Sequence, residues 1–247
     1  MGDLGPPPLW LPPEPAIVRP GRIERAPLPI EAVLPGLAPV LAKKPAAPTT
    51  LSFFNSATSS ATTITAPTSI SAGALIILVD HARNTSGTPT SVTPTGFTLI
   101  TGGSITGGDN LTRTNLTYKI ADGSEGGTSI TGMAGTNFVR KTMFVFNGGI
   151  ASVTPSTVSS SGITDGDPAA QNVASGTGTP PLVVIGSAIC KNVNPTLSMS
   201  PTEDGSVSNG RVVTGYKIYN SSPANVSVDT PDNGDQNVAI GFYLQVN

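Results

Sequence analysis

The sequence predicts an all-β protein: a jelly-roll-like β-sandwich built from two weakly similar halves, preceded by an extended proline-rich N-terminal arm. Three observations predict it. Composition breaks near Pro48, because residues 1–48 hold 13 of the 24 prolines and the only Trp. The remainder is short apolar runs punctuated by Gly, Ser, Thr and Asn, which have the length and period of strands. Those runs recur in the same order in both halves of the body. The organisation is an anchoring arm at 1–48 and a body at 49–247, with pseudo-repeat halves at about 49–150 and 151–247.

The arm contains the run Gly5-Pro6-Pro7-Pro8-Leu9-Trp10-Leu11-Pro12-Pro13-Glu14-Pro15-Ala16-Ile17-Val18-Arg19-Pro20. Proline fixes φ, removes a donor and pushes its predecessor to extended conformations, so the segment reads as polyproline II with free backbone groups. A solvated spacer has little use for large apolar groups, yet the arm carries many. Pre-extended segments lose less entropy on docking, and their apolar side chains can fill pockets. The expected partner-binding residues are Leu9, Trp10, Leu11, Pro12, Pro13, Ile17, Val18, Arg19, Leu34 and Leu37.

In the first half of the body the predicted strands are Leu51–Phe54, Thr62–Thr65, Ala74–His81, Gly96–Thr101, Leu111–Ala121, Thr128–Thr131 and Phe138–Phe146. In the second half they are Thr157–Ser160, Gln171–Ala174, Leu182–Cys190, Thr196–Met199, Arg211–Tyr219, Val226–Val228 and Val238–Val246. Gly-Gly, Asp-Gly, Asn-Gly and Thr-Pro sequences between them form turns for known backbone reasons. Thr117-Tyr118-Lys119-Ile120 corresponds to Gly215-Tyr216-Lys217-Ile218, and 28 residues separate both Tyr118 from Phe146 and Tyr216 from Leu244. The duplication implies either two halves sharing one core or two small tandem sandwiches. With no proline-rich linker near residue 150, a single jelly-roll-type sandwich is favoured.

Charged residues make up 11% of the chain, against roughly 25% in an average globular protein. Net charge is −2, and no basic run exceeds Lys43-Lys44. Nucleic-acid binding, which needs a concentrated phosphate-neutralising patch, is not expected. No secretory signal and no apolar stretch long enough to span a membrane is expected. Cys190, the one cysteine, lies in an apolar strand and reads as a buried hydrophobe. Sequons at Asn84, Asn110, Asn115, Asn220 and Asn225 fit an Asn/Ser/Thr-rich surface.

Catalysis needs a convergent set of titratable groups, and none is visible, so no enzyme activity and no cofactor is expected. His81 is the only histidine and reads as a strand-edge residue. Its neighbour Asp80 cannot share its face of a regular strand. Asp229, Asp232 and Asp235 form a weak calcium candidate, since hard oxygen ligands suit Ca²⁺, but they lack the bidentate Glu of an EF-hand and a polar hairpin loop is the favoured reading. Asp165-Gly166-Asp167 and Glu203-Asp204-Gly205 are fainter versions. Phe97 and Tyr219 are the best aromatic candidates for a sugar site, with core packing as the alternative.

Several motifs carry a resemblance. Ser71-Ala72-Gly73-Ala74-Leu75-Ile76 precedes Pro94-Thr95-Gly96-Phe97-Thr98-Leu99-Ile100, then Tyr118-Lys119-Ile120-Ala121-Asp122-Gly123-Ser124-Glu125. This order resembles a β-sandwich family of tailed-bacteriophage virion proteins and some bacterial surface proteins, with the pattern AGDLL, P-x-GWT-x-I and YK-x-A-x-x-x-E. Ala74 stands where that family usually has Asp, and Phe97 where it usually has Trp. The stretch Trp10 to Pro20 and Val33-Leu34-Pro35-Gly36-Leu37 resemble the starts of phage proteins from alphaproteobacterial hosts. The resemblance implies a virion structural protein on the capsid surface, a decoration or head-fibre-like protein. Its partners would be the major capsid protein or other virion proteins, and it would form a homo-oligomer, a trimer for preference. The alternative is a tail-fibre, collar or baseplate component whose β-sandwich binds a host glycan.

Overall fold

The computed structural model describes residues 50–162, 168–191, 194–230 and 237–247. The arm residues named above lie outside the described residues, as do Asp165, Asp167, Asp232 and Asp235. The described chain is all-β, and its strands pair antiparallel throughout.

The first half contains β1 (Ser52–Ser59), β2 (Thr63–Thr65), β3 (Leu75–Arg83), β4 (Thr98–Thr106), β5 (Thr112–Ile120), β6 (Ser129–Thr131) and β7 (Phe138–Asn147). The second contains β8 (Val153–Pro155), β9 (Ser159–Gly162), β10 (Gln171–Val173), β11 (Leu182–Cys190), β12 (Ser198–Ser200), β13 (Gly205–Ser208), β14 (Val212–Tyr219), β15 (Val226–Asp229) and β16 (Asn237–Val246). The one helical element among them is a 3-10 turn at Ser175–Thr177.

The duplication is one of topology. The first large sheet runs β1-β7-β3-β5-β4, and the second runs β8/β9-β16-β11-β14-β13. Position by position these are the same sheet. Ile77 of β3 lies between Tyr118 and Phe144, and Ile185 of β11 lies between Tyr216 and Phe242. Each half also has a small sheet, β2-β6 in the first and β10-β15-β12 in the second. Counting the strands of the second half from β8/β9 to β16, the large sheet runs first-eighth-third-sixth and the small sheet second-seventh-fourth. That is the wrapping of a jelly roll. Only the fifth strand, β13, departs, pairing beside β14.

Three apolar layers hold the sheets. Leu75, Ile77 and Val79 of β3 meet Val183, Ile185 and Ile189 of β11 in a core shared by the two large sheets. On the outer face of the first sheet, Ile76, Leu78, Met143 and Val145 pack under Ile64 of the small sheet and Ala66 just after β2. On the outer face of the second, Leu182 and Val184 pack under Val173, Met199, Val226 and Val228. The halves thus share one core, and each also closes a small sandwich of its own. Central strands covered on both faces favour apolar groups at successive positions, so Leu75–Val79 of β3 and Leu182–Ile185 of β11 read as hydrophobic runs. Each fully buried Leu, Ile, Val or Phe contributes roughly 1.5–3 kcal/mol.

Two strands escape the sequence reading. The edge beside β16 is interrupted at Ser156–Val158, giving β8 and β9 in place of one strand at Thr157–Ser160. Proline has no N–H for a ladder and is confined to edges, which suits Pro155 at the end of β8. β13 is missed because Gly205–Ser208 carries a single apolar residue, Val207. His81 requires a correction. It is not at a strand edge but on the central strand of its sheet, 1% exposed. The apolar run ends before it, but β5 and β7 continue alongside and bury it.

Asparagine side chains stitch the halves together. Asn220, just after β14, accepts from the Leu51 N–H at 2.6 Å and donates to the Leu51 carbonyl at 3.0 Å. Asn209 donates to the carbonyls of Ser59 and Lys141 at 2.8 and 3.2 Å. Within the first half, Asn115 is fully buried and donates to Ser91 Oγ and the Val92 carbonyl. The sequon at Asn115 is therefore closed to glycosylation, and the amide of Asn220 is already engaged. Replacing Asn220 with Ala leaves two backbone groups of Leu51 without their partner. We expect a loss of about 1–2 kcal/mol in urea unfolding with an unchanged m-value.

Candidate functional site

Two of the resembling motifs, around Pro94–Phe97 and Lys119–Glu125, converge in space on one groove. Gly96 adopts φ +79°, a left-handed turn that glycine enters without strain, and it positions Phe97 against the outer core of the first half. Lys119 projects from β5 onto the same face, since its register partner is Ile76. After β5 the chain turns at Gly123 (φ +96°) and brings Glu125 back toward the strand. Pro94, Thr95, Phe97, Lys119, Glu125 and Ile130 line the groove, whose volume is about 270 Å³.

Its one ammonium, Lys119, faces two carboxylates, Glu125 and the exposed Asp122 at 3.6 Å. Lys119 Nζ lies 2.6 Å from Glu125 Oε1, with the two side chains 20% and 5% exposed. The Glu125 carboxylate also accepts from the N–H groups of Asp122 and Gly123 at 3.1 and 3.0 Å. Burial pushes the Glu125 carboxyl up, but the Lys119 ammonium and these N–H groups outweigh it and hold it below the usual carboxylate range. The hydrogen bond to Glu125 raises Lys119 in turn, against the opposing effect of burial. The spacing from Lys119 to Glu125 therefore encodes a self-capping turn that closes an ion pair.

The second half builds a related pair differently. Lys217, the counterpart of Lys119, meets Asp204 Oδ1 at 2.9 Å, and Asp204 Oδ2 accepts from the Ile218 N–H at 2.7 Å. Tyr219 packs on the third apolar cluster, with Lys217 Nζ 6.0 Å from its ring centroid. Phe97 and Tyr219 belong to different halves and form no common platform. A larger concavity of about 590 Å³ opens at the β8–β9 interruption, lined by Ser156, Thr157, Asn172 and Tyr243, and carries no ionisable group besides that tyrosine.

Among the described residues, the polar groups named as candidates lie apart from one another. His81 faces the shared core, hydrogen-bonded through Nδ1 to Thr114 Oγ1 at 2.8 Å, while Asp80 faces outward to Lys141. Asp229 ends β15 and accepts from the Thr230 N–H at 2.9 Å. Among the described residues no three His, Cys, Asp or Glu side chains are placed to hold a metal ion. No described helix is long and apolar enough to cross a membrane. Chemically, the groove offers an aromatic flank, a neutralised ion pair and threonine hydroxyls, which suits retention of a neutral polar ligand.

Comparisons with protein families, characterised proteins and solved structures find no match. The motif residues therefore carry their physical meaning alone. Gly96, Gly123 and the Lys119–Glu125 pair set turns, and Phe97 seals an outer core. The groove was not legible as a site because its lining comes from three separate stretches. The one hint was the six-residue step from Lys119 to Glu125 across a glycine.

Proposed function

We propose that this chain is a virion structural protein, a capsid decoration protein that attaches to the head surface through its N-terminal arm and displays the double sandwich. The observation that carries the reading is the division between a proline-rich arm loaded with apolar side chains and a sparsely charged body in which several carboxylates are paired within the fold. Asp80, Asp109, Glu125 and Asp204 each meet a Lys or Arg of the body. Trp10, Leu11, Ile17 and Val18 would fill pockets on the major capsid protein, and repeated attachment in a homo-oligomer, a trimer for preference, would multiply weak arm contacts. The tail-component reading is favoured by the Phe97 groove, which could take up a neutral sugar of a host surface.

Copy number separates the two readings. Quantitative gel analysis of purified particles should show hundreds of copies for a decoration protein and far fewer for a tail component. Deleting residues 1–41 is expected to leave a body with an unchanged melting transition that no longer joins the particle. Normal incorporation of the truncated chain would refute the anchoring role.

A further inference from the structure

Asp80 and Lys141 face each other on adjacent strands. The antiparallel register places them directly opposite, on β3 and β7. Both point to the outer face of the first large sheet, where they are 1% and 0% exposed. Lys141 heads the largest fully buried side chains of the described residues. The loop after β6 closes over them. Lys141 Nζ contacts Asp80 Oδ1 and donates to the Met133 carbonyl at 3.1 Å. The Met133 N–H donates to the other carboxyl oxygen, Oδ2, at 2.6 Å. A side chain at Gly132 would displace the pair, because a Cβ there would sit 2.1 Å from Asp80 Oδ2 and 2.7 Å from Lys141 Nζ. Ala82, Met133, Val139 and Val92 complete an apolar cap.

This is a poor place for an ion pair. Taking two charges out of water costs more than their attraction returns unless every remaining hydrogen-bonding position is filled. Burial pushes the Asp80 carboxyl up and the Lys141 ammonium down, in each case against the attraction of the partner. Both shifts favour the same proton transfer, from Nζ to Oδ1. That transfer would leave a neutral amine against a neutral carboxylic acid in a dry compartment.

We propose that Asp80 and Lys141 condense into an intramolecular amide that covalently joins β3 to β7. The Nζ lone pair forms a bond to Asp80 Cγ, and the carbonyl electron pair moves onto Oδ2, where the Met133 N–H stabilises the developing charge. The intermediate then collapses and the Cγ–Oδ1 bond breaks. Oδ1 leaves as water, carrying the acid proton and one amine proton. The remaining proton stays on the new amide nitrogen, beside the Met133 carbonyl. Amine and acid become amide and water, so the step needs no oxidant and no other reactant. Enforced proximity supplies what a bimolecular condensation in water lacks. The link spans 61 residues of sequence and locks the centre of the first sheet.

Intact-mass spectrometry of the purified, folded full chain under denaturing conditions tests this. The expected mass is lower than that of the sequence by one water, and proteolysis should yield one branched peptide containing Asp80 and Lys141. Lys141→Arg and Asp80→Ala should each restore the full mass. Should these variants fail to fold, the wild-type peptide map still decides. The full sequence mass after prolonged incubation, with both segments recovered as linear peptides, overturns the proposal. So does a water loss mapped to a linear peptide, which would be a cyclic imide at an Asp-Gly step such as Asp122-Gly123.

Discussion

Acidification from pH 7 to pH 4 is expected to cost on the order of 3 kcal/mol of stability through His81 alone. Burial is the main cause, and the positive charges of Arg83 and Arg140 add to it. Asp109 pulls the other way, and the imidazole ends at about 3 against an ordinary value of 6.5. Between those values the unfolded chain binds a proton that the folded chain refuses. Stability conferred by neutral His81 is therefore complete above pH 6.5, falls as pH drops through the window and levels off near pH 3. Asp109 and Glu125 strengthen the acid limb. Burial pushes both up, but hydrogen bonds and their cationic partners hold both below the ordinary carboxylate range. Their contributions are present above the ordinary carboxylate value and are lost as pH falls below it. Asp80, raised by burial, acts in the opposite sense while it remains a free carboxyl. Urea unfolding of wild type and His81→Asn at several pH values between 7 and 4 measures the share of His81. The wild-type curve should fall more steeply than that of the variant. Parallel curves would assign the acid sensitivity elsewhere, whatever the absolute stability of H81N.

The strands were legible where hydrophobic runs are long and turns are marked, as in Leu182–Cys190 and Phe138–Phe146. The matching Tyr-Lys-Ile strands also placed the two halves in the register that the sheets adopt. What stayed hidden depends on partners distant in sequence. His81 looks peripheral because Ala82 and Arg83 follow it. Its burial comes from Thr114, 33 residues away, and from Phe138, whose ring centroid lies 5.5 Å from its own. The Asp80–Lys141 pair was equally invisible, since a lone lysine in an apolar strand does not announce its acceptor. Phe97 could be named as an aromatic of interest, but its groove needs β6 and the turn at Gly123 to exist.

The second large predicted effect concerns three glycines that also mean nothing until the strands are aligned. Gly186 of β11 pairs with Gly215 of β14 and with Gly241 of β16, so the three form a row across the second large sheet. The small sheet and its flank settle directly onto this row. A Cβ on Gly186 would lie 2.9 Å from Val228 Cγ1, one on Gly215 2.7 Å from Leu197 Cδ2, and one on Gly241 2.5 Å from Val173 Cγ2. In the first half the equivalent positions are Leu78, Thr117 and Met143, and its outer layer is the two-stranded β2-β6 pair. The halves share their topology but differ in how closely the outer layer can approach. Glycine in a strand interior is otherwise unfavourable, so the row is retained by contact with the layer above. Gly186→Leu, the residue its counterpart carries, should force the small sheet off the large one and cost about 3 kcal/mol or more. A gentler pair tests the cause. Gly186→Ala and Val228→Ala should each destabilise, the first by crowding and the second by leaving a cavity. Combined, they should cost clearly less than the sum of the two, because each relieves the other. Strict additivity in urea unfolding would show that the glycine row is not what sets the spacing of the layers.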